Sequence, residues 1–386
     1  MKELKNGLAI QNRILPLNKG DLMTKMGSNY NFLFPYGFQL KSVLRSAEEV
    51  NGQLIVKKRS VPYNLIGMHA MQERILPTHP FAEKLKERIR IAQAGTNGEK
   101  VVDQIFLKYQ FGFEHYIFHD LNLTSTGKFQ LDTLFLSPQG VYILEIKNIA
   151  GRIHFPNEWN QMVRVLDNGQ TDAFECPSVQ LERNCFLLED WFHSRNLSVP
   201  ITGAVVFTQS RQLIENSRPR LTMLFPYELP NVLRKREQKP PILDSKTLSV
   251  IVHELSSAHQ DFNPFPLCNT MNISPLDIKS GVQCENCGML GMDKIFRGWI
   301  CPGCHHVSKR AHQRTIQDWF MLVSETMTNR ECREFLHVSA NYTAARLLGE
   351  LPLEPEGMSR GRFYRFPLNL MKEDYEKSPD SQGTLH

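Results

Sequence analysis

The stretch FQLDTLFLSPQGVYILEIKN, residues 129–148, decides how this chain is read. It sets three charged groups, Asp132, Glu145 and Lys147, into two runs that otherwise look like buried strands joined by the turn SPQG. Side chains alternate faces along a strand, so Glu145 and Lys147 point the same way, together with Val141 and Ile143. The turn admits two tight registers. Centred on Pro138 and Gln139, it pairs positions whose numbers sum to 277 and sets Asp132 opposite Glu145. Centred on Gln139 and Gly140, the sum is 279 and Asp132 faces Lys147, with Glu145 on the diagonal. Both gather the three charges on one face, and only a three-residue loop would part them.

Two carboxylates so placed repel unless a cation lies between them, and hard oxygen ligands suit Mg²⁺ or Mn²⁺. A lysine one pleat away can help deprotonate a water and stabilise negative charge developing on phosphorus. The plainer alternative is a structural Asp–Lys pair near a strand end with Glu145 solvated.

Around this hairpin the pattern is α/β. Residues 40–50 hint at a helix, and 61–95 read as two helices broken at Pro77 and Pro80. GTNG at 95–98 reads as a turn before a helix over 99–109 with an apolar stripe. Strands are expected at 116–121, 131–137, 141–148, near Ile153 and at 162–166. A helix opens at Pro177, and ITGAVVFTQ gives a further buried strand. Residues 215–245 read as loops, 246–259 as a helix, 261–275 as a linker and the C-terminal residues as a disordered tail.

The spacing of Asp132, Glu145 and Lys147 after a helix carrying Glu99 resembles the PD-(D/E)xK nuclease superfamily. GTNGEKVVDQIF, the hairpin itself and PSVQLERN resemble, more narrowly, the nuclease-related domain (NERD) family of bacterial proteins over about residues 95–209. That resemblance implies a restriction-endonuclease-like mixed sheet flanked by helices. It implies that Glu99, Asp132 and Glu145 hold Mg²⁺ or Mn²⁺, that Lys147 is catalytic and that Gln180 orients the site. No proline precedes Asp132, where Leu131 stands, a departure from the superfamily's name. Outside the resemblance, Glu99 is also an acid in a helix's first turn, favoured there by the dipole, and Gln180 a polar residue near a helix start. His115, His119 and His154 read as strand-edge residues.

CENCGMLGMDKIFRGWICPGC places Cys284, Cys287, Cys301 and Cys304 in two CxxC pairs, the spacing of a four-thiolate structural Zn²⁺ ribbon, with Gly288 and Gly303 easing the turns. His305 and His306 are spare donors. Beyond it come a long helix, a second helix opening on the capping box Thr328–Glu331, a turn, a third helix and GRFYRF. This order resembles a small winged helix-turn-helix domain, with Ser339, Asn341, Tyr342 and Arg346 on the recognition helix and Arg360, Arg362 and Arg365 at the wing. A helical bundle for protein contacts is the alternative.

The expected segments are 1–88, partly helical; 89–262, nuclease-like; 263–283, linker; 284–306, zinc ribbon; 312–370, winged-helix-like; and 371–386, tail. The 386 residues are 41% hydrophobic and 22% charged, with no apolar run near the ~20 residues of a membrane helix and no signal-peptide pattern, so a cytoplasmic location is expected. The net charge of +5 permits nucleic acid without specifying it. The whole reads as a Mg²⁺-dependent DNA nuclease, with a homodimer or protein partner left open. The rival is a DNA-binding adaptor or regulator that uses the nuclease-like fold for recognition alone.

Overall fold

The computed structural model describes residues 48–50, 53–156, 161–209, 213–215 and 222–371, apart from the side chains of 48–50, 53 and 360. Most of the helical hint at 40–50 and all of the expected tail beyond 371 lie outside them; Glu48–Val50 itself is strand. The chain divides into two compact units, Met1–Arg59 with Asn97–Gln260, and Ser60–Thr96 with Asp261–His386. Among the described residues no helix is long and apolar enough to cross a membrane.

Two helices follow the first strands, α1 (Tyr63–Arg74) and α2 (Ala82–Lys108). Against expectation, GTNG does not break α2, which runs on for 27 residues. Thr96 Oγ1 donates back to Ala92 O at 3.1 Å, a bond compatible with a continuing helix. Gly98 serves close packing: a Cβ there would stand 2.4 Å from Asn148 Cβ and 2.8 Å from Thr208 Oγ1. The glycine thus brings α2 against the ends of two strands and carries its neighbour Glu99 with it.

Unit 1 is built on a seven-stranded mixed sheet. Its strands are β1 (Glu48–Val50), β2 (Gln53–Lys57), β3 (Tyr116–Thr124), β4 (Lys128–Ser137), β5 (Gly140–Lys147), β9 (Ile201–Phe207) and β11 (Met223–Leu224), in that spatial order. β3, β4 and β5 form an antiparallel meander, while β9 lies parallel to β5 and β11 parallel to β9. A second sheet, ordered β10-β6-β7-β8, holds β6 (Arg152–His154), β7 (Gln161–Val165), β8 (Thr171–Glu175) and β10 (Ile214–Glu215).

One face of the large sheet packs on α3 (Pro177–His193) and α5 (Ser245–Ala258) through Leu188, Trp191, Leu248 and Ile251. The other packs on α2 through Val102 and Phe106, and on α4 (Leu229–Glu237) through Leu229 and Leu233. With both faces covered, β5 is a nearly continuous apolar run. Helix α4 lies within the stretch read from sequence as loops. Its apolar residues are few and become buried only by contact with the sheet.

In unit 2, α1 and the first part of α2 pack with α6 (Leu267–Met271) around Leu267 and Cys268. The stretch 263–283, expected as a linker, is thus largely core. Arg74, fully buried, donates to Asp318 Oδ2 at 2.7 Å and to the carbonyls of Lys279 and Gly281 at 2.9 and 3.2 Å, pinning that stretch. A three-stranded antiparallel sheet follows, made of β12 (Asp293–Ile295), β13 (Gly298–Ile300) and β14 (Val307–Ser308). The chain then runs α7 (Ala311–Leu322), β15 (Met327–Thr328), α8 (Asn329–Leu336), α9 (Asn341–Gly349), β16 (Glu354–Glu356) and β17 (Phe363–Arg365). The last three strands pair in the order β15-β17-β16. The capping box forms as read: Glu331 N donates to Thr328 Oγ1 at 3.2 Å, and Thr328 N to Glu331 Oε2 at 2.7 Å.

Candidate active site and cysteine cluster

The hairpin adopts the first of the two registers, with Ser137 paired to Gly140 and Thr133 to Leu144. Extended by one residue, that register sets Asp132 opposite Glu145. The regular ladder fails there on both sides. Between β3 and β4 the pairing passes from His119–Thr133 to Leu121–Leu131, omitting Asp120, whose φ is +50°. Core-facing residues change parity at the same place, from Tyr116 and Phe118 to Leu121 and Leu123 on β3, and from Leu136 and Leu134 to Leu131 and Phe129 on β4. Asp132 turns its carboxylate into the gap, and Oδ2 accepts from Ile146 N at 2.8 Å.

Glu145 is 1% exposed. Lys147 Nζ donates to Glu145 Oε1 at 2.7 Å and to Gln180 Oε1, in the first turn of α3, at 2.9 Å. Glu145 Oε2 is buried and has no hydrogen-bond partner. Burial, aided by the neighbouring charge of Asp132, pushes the Glu145 carboxyl up to about 7. Burial likewise raises Asp132, against the pull of Lys147.

Glu99 stands beside this group, but its carboxylate meets a residue the hairpin gives no hint of. Arg59, just past β2, lies 3.2 Å from Glu99 Oε2 through Nη1, 2.6 Å from Asp120 Oδ1, and 2.9 Å from Asp103 Oδ2 through Nε. Its Nη2 donates to Asp132 O at 3.0 Å and to Thr133 Oγ1 at 3.1 Å. Those acids hold the guanidinium above its ordinary value although burial opposes them. Burial raises Glu99 to about 8 despite Arg59. One sequence signal was available: Asp103 follows Glu99 by one helical turn. Nothing local marked Arg59 or Asp120.

Two of the three histidines are core residues rather than edge ones. His115 and His119 are each 3% exposed. Burial lowers both, His119 well below the ordinary range with Arg59 and Lys57 adding to it, and His115 to about 4. His154 lies on β6.

Five carboxyl groups therefore meet at the site, four of them paired to Arg59 or Lys147. The crowding of buried carboxyl groups and the unpartnered Glu145 oxygen fit a hard divalent cation beside Asp132 and Glu145. The carboxylates do not close into a finished cage: among the described residues, only four cysteines bring three or more ligand atoms within 4.8 Å of one another.

Residues 94–208 match the family model of the nuclease-related domain. The NERD match takes in Glu99, Asp132, Glu145, Lys147 and Gln180, and it leaves out Arg59, which pairs with Glu99 from outside it. Comparison with curated proteins and with solved structures gives no match.

Downstream of the NERD segment, the sulfurs of Cys284, Cys287, Cys301 and Cys304 form a cluster that can hold zinc. Cys284 and Cys304 are 3.6 Å apart, and Cys287 and Cys301 3.5 Å. The two CxxC turns are alike: Gly288 N donates to Cys284 O at 2.9 Å, and His305 N to Cys301 O at 3.0 Å. The left-handed positions are Gly288 (φ +74°) and His305 (φ +58°), so Gly303, expected to ease its turn, does not fill that role. A Cβ on Gly303 would instead meet Met289 Cε at 2.7 Å. Asn286 donates to Cys304 Sγ at 3.6 Å.

Of the residues expected to meet nucleic acid, Asn341, Tyr342 and Arg346 are exposed on α9, and Ser339 is exposed just before it. Arg362 is also exposed. Arg365 is tied to Glu356 at 2.7 Å and Glu325 at 3.6 Å. The side chain of Arg360 lies outside the described residues.

Proposed function

We propose that the nuclease-related domain hydrolyses DNA phosphodiester bonds with Mg²⁺ or Mn²⁺, and that unit 2 delivers it to DNA through a zinc ribbon and a winged helix. The observation carrying this reading is the unpartnered, buried Oε2 of Glu145 beside Asp132, with Lys147 held at 2.7 Å from the same carboxylate. Asp132 and Glu145 would hold the metal, with Glu99 behind them. When bound, the ion supplies Lewis acidity and makes water a stronger acid.

The protein's own groups carry the remaining work. Gln180 and Glu145 fix the Lys147 ammonium from two sides, so its charge is oriented before substrate arrives. There it can stabilise charge developing on a phosphate oxygen and, as a donor, orient the attacking water. Because the Gln180 carbonyl faces Lys147, its amide N–H groups remain to orient a phosphate oxygen. Arg59 spreads its charge over Glu99, Asp103 and Asp120, holding α2 and β3 in register with Asp132.

In unit 2, the order helix, strand, helix, helix and paired strands supports the winged-helix reading, and the four-sulfur cluster supports Zn²⁺. Asn341, Tyr342 and Arg346 would lie toward DNA, with Arg362 contributing from the wing; the ion pairs of Arg365 give it a lesser part.

The test is cleavage of supercoiled, linear and single-stranded DNA by purified protein, with Mg²⁺, Mn²⁺ or no added divalent ion, beside Asp132→Ala and Lys147→Ala. Metal-dependent cutting lost in both variants is expected. Unchanged cutting in the variants would sink the proposal, and DNA binding with no cutting by any form would turn it to the adaptor reading.

A further inference from the structure

A cavity of about 370 Å³ lies within unit 2, between the β12–β13 hairpin and α9. Lys294, Arg297, Lys309, Arg310 and Arg346 line it, with Glu350 as its one acid. Glu350 is already engaged: its Oε2 is 3.0 Å from His312 Nε2, and its Oε1 4.0 Å from Arg346. His312 is fixed in turn by Trp299 Nε1, which donates to Nδ1 at 3.2 Å. Lys294 is pinned by the carbonyls of Ile295 and Gly298 at 2.7 and 2.9 Å, neither of which neutralises it. Among the described residues no carboxylate pairs with Arg297, Lys309 or Arg310. Burial, and then the proximity of Arg346, lowers Lys294 below its ordinary value. A converging set of cations with so little countercharge is complementary to an anion.

Two further features say which anion. The tight hairpin joining Ile295 to Gly298 has Phe296 and Arg297 at its turn, and Arg297 adopts φ +57°, where glycine or asparagine is the favoured choice. A sequence that departs from local turn chemistry here points to a use for the side chains displayed. Phe296 is 87% exposed, with the Arg297 guanidinium 5.0 Å from its ring centroid. On α9, Tyr342 is 78% exposed and precedes Arg346, which lines the cavity, by one helical turn. Exposed aromatic faces beside a basic cleft suit unpaired bases flanking a backbone phosphate. A small free phosphate would have no use for them.

We propose that this cavity seats a backbone phosphate of a single nucleic-acid strand, with Phe296 stacking on an adjacent unpaired base. It builds on the nucleic-acid reading of unit 2 above and moves the principal contact from α9 alone to the cleft between the β12–β13 hairpin and α9. A strand opened or frayed from a duplex is then the form this unit would hold.

The test is fluorescence anisotropy with the full chain, its zinc retained and no Mg²⁺ or Mn²⁺ added, on a labelled single-stranded oligonucleotide and on its duplex. The single strand should bind the more tightly. Arg297→Glu and Lys309→Glu, both at exposed positions, should each weaken it by about tenfold and flatten its salt dependence by about one phosphate contact. Phe296→Ala should weaken single-strand binding by about tenfold and leave the duplex unchanged. Circular dichroism and zinc content verify that the variants fold. Wild-type affinity in the charge variants would overturn the proposal. So would displacement of the strand by inorganic pyrophosphate together with an unaltered Phe296→Ala, which would make the cavity a small-anion site. As the readout is binding without added metal, a failed cleavage site in unit 1 leaves it unmoved, and intact cleavage does not rescue it.

Discussion

Lys147 reaches back across one pleat of β5 to Glu145, its Nζ 2.7 Å from Oε1, and leaves Oε2 of that carboxylate buried without a partner. A lysine that neutralised Glu145 completely would make a structural ion pair. Here half of the carboxylate remains unsatisfied next to a second buried acid.

That half-satisfied carboxylate predicts divalent-ion binding independent of turnover. Titrating Mn²⁺ into the protein during thermal unfolding should raise the transition of unit 1, with stabilisation of about 2.7 kcal/mol at a hundredfold excess over Kd. Glu145→Gln should abolish the shift while leaving the metal-free transition in place. An equal shift in the variant would place the ion elsewhere.

Arg59 is predicted to be a structural requirement of unit 1. Its side chain is 6% exposed and answers three acids, so Arg59→Met should destabilise unit 1 by about 3–5 kcal/mol in urea unfolding. Adding Asp120→Asn should recover part of that loss, since it removes one of the charges left uncompensated. If Arg59→Met unfolds like wild type, the network does not matter to stability.

His115 predicts a signed pH dependence. Its folded value is near 4, against about 6.5 unfolded, because burial disfavours the imidazolium. The unfolded chain takes up the proton first as pH falls. The stabilisation is therefore whole above about pH 6.5 and drains away toward pH 4, amounting to about 3 kcal/mol. His115 stacks on Phe135, with ring centroids 5.2 Å apart, so phenylalanine keeps the ring contact while giving up the 2.7 Å bond from Nδ1 to Phe113 O. His115→Phe should show a shallower loss of stability than wild type between pH 6.5 and 4.5, and parallel curves would contradict the assignment.

The cysteine cluster predicts one zinc per chain by elemental analysis, and Cys287→Ser should lower that content sharply. Trp299 is 1% exposed in the same core as Cys284 and Cys301. Chelation should therefore shift tryptophan emission to the red, and re-addition of Zn²⁺ should restore it. Unchanged emission after complete metal removal would mean that the core of unit 2 stands without the ion.

What could be read directly from the chain was whatever depends on neighbours in sequence. The hairpin register follows from a turn of two residues and a side-chain period of two, so the approach of Asp132, Glu145 and Lys147 was visible in residues 129–148 alone. The cysteine spacing and the Thr328–Glu331 capping box are local in the same sense. Tertiary structure decided the rest. GTNG reads as a turn by composition, yet continues a helix because Gly98 lets α2 close on Asn148 and Thr208, 50 and 110 positions away in the numbering of this chain. Arg59 meets Asp103 and Asp120 across 44 and 61 positions. Leu267 and Cys268 read as linker until α1 covers them. Local geometry repeats with a short period and can be seen in the residues themselves, whereas a buried charge or a close-packed glycine acquires its meaning only from the distant group brought against it.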